Sequence, residues 1–165
     1  MRVRYSIALA AATLLVLAPI SAPRADTGFS VSLNGLNEVP VNASPGTGSG
    51  TLVINNAQTQ VTYSITYQNL TSNRTAQHIH APAPVGINAG VVVPLLATGT
   101  TSGTVSGTTL LGVNALNIVR WMVNDSAYVN IHTINFGGGE IRGQIHMDAT
   151  PTRTTTWGRI KQLFR

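Results

Sequence analysis

The first residues that could carry chemistry are two histidines, His78 and His80, in a segment that is predicted to be a β-strand. Side chains at positions i and i+2 of a strand point to the same face of the sheet. The two imidazoles therefore project together, while Ile79 between them faces the core. One such pair is weak evidence for a site, because it fits a metal site and a structural polar network equally well.

Two later segments show the same alternation of apolar and polar residues. In the first, Val129 and Ile131 are predicted to face the core, and the polar residues between them face outwards. The second segment, residues 140–147, alternates in the same way. The outward-facing side chains of the two segments are Tyr128, Asn130, His132, Glu140, Arg142, Gln144 and His146. All 4 histidines of the chain thus lie on the polar faces of three predicted strands.

A predicted strand register decides which histidines meet. If residues 135–139 form a five-residue loop, Ile134 pairs with Glu140 and His132 lies opposite Arg142. The same register places Asn130 opposite Gln144 and Tyr128 opposite His146. At about 3.3 Å per residue, His146 is then roughly 13 Å from Arg142 along its strand. The predicted cluster is therefore His78, His80 and His132, without His146.

Converging neutral imidazoles without thiolates suit copper, zinc or nickel. If these residues bind a cofactor, the sequence favours copper or zinc. The alternative is a hydrogen-bonded network of the same residues that closes the end of the fold. Arg142 could bind an anion or pair with Glu140, and Asn130 and Tyr128 could hold ligands from a second layer. These alternatives stay open at the level of sequence.

No complete catalytic arrangement accompanies these residues. The run Gly137-Gly138-Gly139 lacks the lysine and the following helix of a phosphate-binding loop, so it is predicted to form a hairpin turn that needs positive φ. No serine lies in a nucleophile elbow, and the acids show no recognisable catalytic spacing. The prediction is therefore a binding or structural module rather than an enzyme.

The elements that position the polar residues are predicted to be strands. From residue 28 the apolar residues recur with period two, and Gly/Ser-rich or Asn-rich turns separate the segments. The exception is residues 110–123, where apolar residues recur about every third position and predict one short helix. About eight strands and one helix indicate an all-β protein, a Greek-key-like β-sandwich or flattened barrel, spanning residues 26–149.

The two ends of the chain differ from this body. Residues 1–25 are predicted to be a signal peptide, with a basic start and a short apolar stretch, and the alternative is an uncleaved N-terminal anchor. Residues 150–165 form a Thr/Pro linker and a basic amphipathic tail, which could touch an anionic membrane surface or could be disordered. The protein is therefore expected to be exported, either secreted or periplasmic.

Charge and cysteine content exclude further classes. Of the 10 basic residues, three lie in the predicted signal peptide and four in the tail, which leaves three in the body against all 5 acids. The body has no basic surface for phosphates, so no nucleic-acid partner is expected. The absence of cysteine excludes disulfides and thiolate metal sites.

Four ordered segments resemble the motifs of the CHRD (chordin-type) domain family, across residues 29–147. They are Leu33–Pro40 (LNGLNEVP), Gln77–His80 (QHIH), Tyr128–Thr133 (YVNIHT) and Gly139–Ile145 (GEIRGQI). The resemblance implies an extracellular or periplasmic β-sandwich module with no generally assigned activity and an unknown partner. Chordin binds growth factors through other, cysteine-rich modules, so that activity is not implied here.

A looser similarity connects the histidines with copper-zinc superoxide dismutases. Those β-sandwiches have an HxH strand, a later strand histidine and an arginine beside the metal, parts that His78, His80, His132 and Arg142 could take. The chain lacks their bridging histidine, their aspartate zinc ligand and their disulfide. The similarity therefore implies a possible copper or zinc site more than it implies dismutase activity.

Overall fold

The computed structural model describes residues 25–95 and 99–149. The predicted signal peptide, apart from its last residue, and the predicted tail at 150–165 lie outside the described residues. Both stay predictions from sequence, as does the end of the strand expected at residues 91–96.

Eight strands form one antiparallel sheet in the described part of the chain. Its order is β5-β4-β7-β8-β1-β2-β3-β6. The sheet curls until its edge strands meet, where the Thr109 hydroxyl of β6 donates to the Pro94 carbonyl of β5 at 3.4 Å. The predicted all-β flattened barrel is confirmed. The strands are β1 Thr27–Asn34, β2 Thr47–Ile54, β3 Gln60–Gln68, β4 Arg74–His80, β5 Val91–Pro94, β6 Gly103–Leu110, β7 Tyr128–Thr133 and β8 Ile141–Met147.

The period-two pattern explains how this sheet builds its core. Along β3, Val61, Tyr63, Ile65 and Tyr67 are buried and the residues between them are exposed. Buried apolar residues from the other strands fill the same interior. Burial of this apolar surface is the main force that stabilises the sheet.

A short helix, α1 (Ala115–Val123), covers part of the core with Ile118, Val119 and Met122. It begins later than the predicted residue 110, because Leu110 pairs with Gln60 as the last residue of β6. A 3-10 turn at Gly112–Asn114 joins the two elements, and Gly112 has φ +65°, where an L side chain would be strained. None of the helices within the described residues has the length and apolarity to cross a membrane.

The register between β7 and β8 differs from the predicted one by two residues. Tyr128 pairs with Gln144 and Asn130 with Arg142, so His132 does not face Arg142. The connection is longer than five residues because Ile134 and Glu140 belong to it. Two hydrogen bonds to the Phe136 carbonyl, from the amides of Thr133 and Gly139, close this longer turn. The prediction was wrong because it placed both residues in the ladder.

The polar face of β7 is buried, although it was predicted to face outwards. All six residues of Tyr128–Thr133 are buried. Two loops, residues 35–46 and 81–90, lie over this face and contact each other where the Asn88 side chain donates to the Val39 carbonyl at 2.9 Å. The sheet therefore encloses an apolar core on one side and a covered polar layer on the other.

Candidate functional site

Three histidines meet on the covered polar face. His78 and His80 lie on β4, and His132 lies on the neighbouring β7, where it pairs with Ala76. Each offers one ring nitrogen, and these three atoms lie within 4.8 Å of one another. His80 and His132 are buried, whereas His78 is half-buried. The structure thus brings together the three histidines that the sequence singled out.

Backbone carbonyls orient two of the three rings. The Nδ1 atom of His80 lies 2.9 Å from the Ala89 carbonyl, and the Nδ1 atom of His132 lies 3.0 Å from the Gly137 carbonyl. A carbonyl oxygen can only accept, so each Nδ1 carries the hydrogen. In the neutral ring, Nε2 then carries the lone pair. This arrangement is typical of histidines that bind a metal through Nε2.

The third histidine contacts one of these lone pairs. The Nδ1 atom of His78 lies 3.2 Å from the Nε2 atom of His132. Without a metal, His78 can donate a hydrogen bond there. In the other tautomer of His78, its Nδ1 atom and the Nε2 atom of His132 would both present lone pairs to one ion. Two ligands of a tetrahedral zinc ion, each at about 2.0–2.1 Å, lie roughly 3.4 Å apart.

The cluster fits a metal ion after a small closure. The contact between His78 and His132 already has the separation that zinc requires. The widest separation among the three atoms, up to 4.8 Å, would have to shorten by up to about 1.4 Å. Rotation of a ring about its side-chain torsions can supply such a change. Copper, with imidazole as a preferred ligand, fits the same set of donors.

The pKa of each of the three rings is lowered from the ordinary value of histidine. Burial is the largest cause in each case. Neighbouring rings lower the pKa of His78 and His80 further, and Arg142 adds to the effect on His80. These shifts favour the neutral imidazole, which is the form that binds metals.

A stack of three side chains supports His80. Its ring lies parallel to that of Tyr128, with centroids 4.9 Å apart and planes at 4°. On Tyr128 lies the Arg142 guanidinium, 3.4 Å from the ring centroid. The Tyr128 hydroxyl accepts a hydrogen bond from the Ala89 amide at 3.1 Å, and the Ala89 carbonyl orients His80. Tyr128 thus positions the histidine from two sides.

Arg142 forms hydrogen bonds to the loop at residues 81–90 and not to Glu140. Its guanidinium donates to the Asn88 side chain at 3.0 Å and to the Ile87 carbonyl at 2.7 Å. A cavity of about 250 Å³ opens beside it, lined in part by Ser32 and Gln144. A role of Arg142 in anion binding stays a prediction.

Glu140 stabilises the turn between β7 and β8. Its buried carboxylate accepts hydrogen bonds from the hydroxyls of Ser44 and Thr133 and from the Thr71 amide, at 2.6–2.7 Å. These contacts tie three loops together. The pairing of Arg142 with Glu140, one alternative left open by the sequence, does not occur between these two described residues.

Sequence reasoning missed Glu38 as a site residue. Its carboxylate is only 5% exposed and accepts a long hydrogen bond from the Asn130 side chain at 3.5 Å. Burial raises its pKa from 4.5 to about 7, against the opposing effects of Arg142 and of two hydrogen bonds. The signal that could have found it is its place in the LNGLNEVP segment, as the one acid in a motif that resembles the family.

His146 lies outside the cluster, as the sequence predicted. It is exposed on β8, and its Nδ1 atom lies 3.0 Å from the Asp125 carboxylate.

Replacing Glu38 by glutamine is expected to stabilise the protein more at pH 8 than at pH 5. Between pH 4.5 and about 7 the folded state binds more protons at Glu38 than the unfolded state does. Ionisation of Glu38 therefore lowers the free energy of unfolding as the pH rises, by about 3 kcal/mol in full. Urea unfolding of both proteins at the two pH values measures the difference. Asp26→Asn, at an exposed carboxylate, is the control, and an equal effect of Glu38→Gln at both pH values would contradict the expectation.

The chain also matches the sequence model of a known family. The sequence model of the CHRD domain matches residues 29–145, which include most of β1, the three histidines and Arg142. No curated protein matches the chain. Because the match covers most of the sequence, the chain belongs to the CHRD domain family.

Proposed function

We propose that this protein is an exported, non-enzymatic binding module that holds one copper or zinc ion through His78, His80 and His132. Membership in the CHRD family supports a binding or structural module. The predicted signal peptide at residues 1–25 supports export. No complete catalytic arrangement was found in the sequence, which favours binding over catalysis.

The observation that carries the proposal is the Nε2 atom of His80. It is buried and has no hydrogen-bond partner among the described residues, although its ring is fixed by the Ala89 carbonyl and by Tyr128. A buried polar atom without a partner costs about 1–3 kcal/mol. A purely structural network would satisfy this atom, whereas a metal ion would use its lone pair.

The donor set favours copper and zinc over harder cations. Three neutral imidazoles offer nitrogen ligands and no charge, whereas calcium and magnesium need several oxygen ligands. Among the divalent ions that imidazole binds, copper is generally held most tightly. We therefore propose tighter binding of copper than of zinc, with the metal supplied by the medium outside the cytoplasm.

The mature protein, residues 26–165, is expected to bind one equivalent of Zn²⁺ or Cu²⁺ after treatment with a chelator. The test is a competition titration against a chromophoric chelator, with metal content measured after gel filtration. His80→Ala is expected to weaken binding more than about 100-fold, since a ligand is lost outright. Ligand-linked stabilisation of about 2.7 kcal/mol is expected at a free-metal concentration 100 times the Kd.

The matched control is His146→Ala, which removes the exposed histidine outside the cluster. This variant is expected to bind the metal as the unchanged protein does. Absence of stoichiometric metal, or equal weakening by both variants, would contradict the proposal and leave the hydrogen-bonded network as the account of the cluster.

A further inference from the structure

Two buried oxygen atoms beside the histidines have no hydrogen-bond donor among the described residues. They are Oδ1 of Asn130 and Oε1 of Glu38. The two residues are 4% and 5% exposed, respectively. Buried acceptors are nearly always paired in folded proteins, so each such atom needs a specific explanation.

The two oxygens face the same small space beside Gly139. Each is 2.6 Å from the point that a Cβ atom of Gly139 would occupy, and the Asn130 amide nitrogen is closer still to that point. Gly139 has φ +134° and leaves the space for both side chains, which no other residue would do. The long hydrogen bond from the Asn130 amide group reaches the other Glu38 oxygen, so it does not satisfy either atom.

This pair of acceptors adjoins the three histidines. Asn130 lies directly across from His78 on the neighbouring strand, where opposed Cβ atoms are about 4.5–5.5 Å apart. On its own strand Asn130 stands two residues from His132 and faces the same side. The turn that carries Gly139 also supplies the Gly137 carbonyl that orients His132.

We propose that Asn130 and Glu38 make the open position of the metal site selective for a ligand that donates hydrogen bonds, with water as the resident ligand. The inference rests on the proposed metal site. Three protein ligands leave one position of a tetrahedral ion free. A water molecule there has two O–H groups, and the space beside Gly139 offers two unpaired acceptors, while the one nearby donor, the Asn130 amide group, is bonded to Glu38.

Glu38 acts on that water and not on the metal. Its carboxylate does not belong to the set of ligand atoms that lie within 4.8 Å of one another. Burial raises the pKa of Glu38 to about 7, so Glu38 is ionised, and is only an acceptor, above that pH. Small protic molecules such as hydrogen peroxide or hydroxylamine can replace water, because they also donate hydrogen bonds.

Anions that only accept hydrogen bonds are disfavoured at this position. Azide bound to the ion would direct its lone pairs towards two oxygen atoms that also carry lone pairs, while the Asn130 amide group already donates to the other Glu38 oxygen. Glutamine at position 38 would replace one acceptor with an amide donor and so remove part of the repulsion. Alanine at position 130 would remove the other acceptor.

The test is an azide titration of the Cu²⁺-loaded mature protein at about pH 8, where Glu38 is ionised, followed by electron paramagnetic resonance. Glu38→Gln and Asn130→Ala are each expected to bind azide about 10-fold more tightly than the unchanged protein. In D2O, pulsed spectra of the unchanged protein are expected to show the strongly coupled deuterons of a bound water. Asp26→Asn, which removes an exposed carboxylate, is the charge-matched control and is expected to leave azide affinity unchanged.

Three outcomes would overturn the inference. Copper bound by three imidazoles with no coupled deuterons would contradict the resident water and leave the proposed metal site standing. If copper is bound by the three imidazoles but all variants have equal azide affinity, only the proposed preference for hydrogen-bond donors is contradicted. Failure of the unchanged protein to bind copper would remove the metal site and the inference together. Asn130→Ala keeps the test decisive if Glu38→Gln does not fold.

Discussion

Replacing Glu140 by alanine is expected to lower the free energy of unfolding by about 3–5 kcal/mol. The carboxylate is fully buried and accepts three short hydrogen bonds, from Ser44, Thr71 and Thr133. Alanine leaves two hydroxyls and one backbone amide without their acceptor, at about 1–3 kcal/mol for each buried group that water cannot reach. Urea unfolding at pH 7 measures the loss.

Two further variants separate this effect from a general loss of charge. Glu140→Gln keeps the size and one acceptor oxygen, so an intermediate loss is expected. Asp125→Asn removes the charge of an exposed carboxylate that contacts His146 and suits the positive φ of this position, and its expected cost is below about 1 kcal/mol. A loss of less than about 1 kcal/mol for Glu140→Ala would contradict the structural role that its contacts assign.

Replacing Arg142 by leucine is expected to cost about 3–5 kcal/mol and to loosen the loop at residues 81–90. The side chain is 2% exposed, donates to Asn88 and Ile87, and packs on Tyr128. Removal of one member of a buried charged network leaves its partners without compensation. Arg142 also lowers the pKa of Glu38, so that pKa is expected to rise further in the variant.

Denaturant unfolding and hydrogen exchange of the loop amides measure these changes. Arg142→Lys keeps the charge but lacks the planar fork, so a partial loss is expected. Arg120→Leu, at an exposed arginine of α1, is the control and should change stability little. Unchanged exchange in the loop of Arg142→Leu would show that the guanidinium does not hold it.

The strands could be predicted from sequence because each buries one face of alternating residues. Phe29, Val31 and Leu33 show this pattern, and the structure buries all three. The same alternation placed His78 and His80 on one face. The helix was predicted with a start five residues too early, because apolar spacing cannot show that Leu110 continues a strand ladder with Gln60.

The register of the last hairpin and the cover of the polar layer could not be predicted in the same way. Alternation fixes which face a residue occupies, and a shift of two residues leaves every face unchanged. The turn is set instead by the contacts of Glu140 and by hydrogen bonds to the Phe136 carbonyl. The place of Glu38 against Asn130 depends on a loop that is distant in sequence, which no local pattern encodes.

The location of a bound metal tests the central claim most directly. The measurement is an anomalous difference map from crystals of the Zn²⁺- or Cu²⁺-loaded mature protein. The account predicts one strong peak, about 2.0–2.1 Å from Nδ1 of His78 and from Nε2 of His80 and of His132. A peak at His146 and Asp125 instead, or no peak within reach of the three rings, would contradict it.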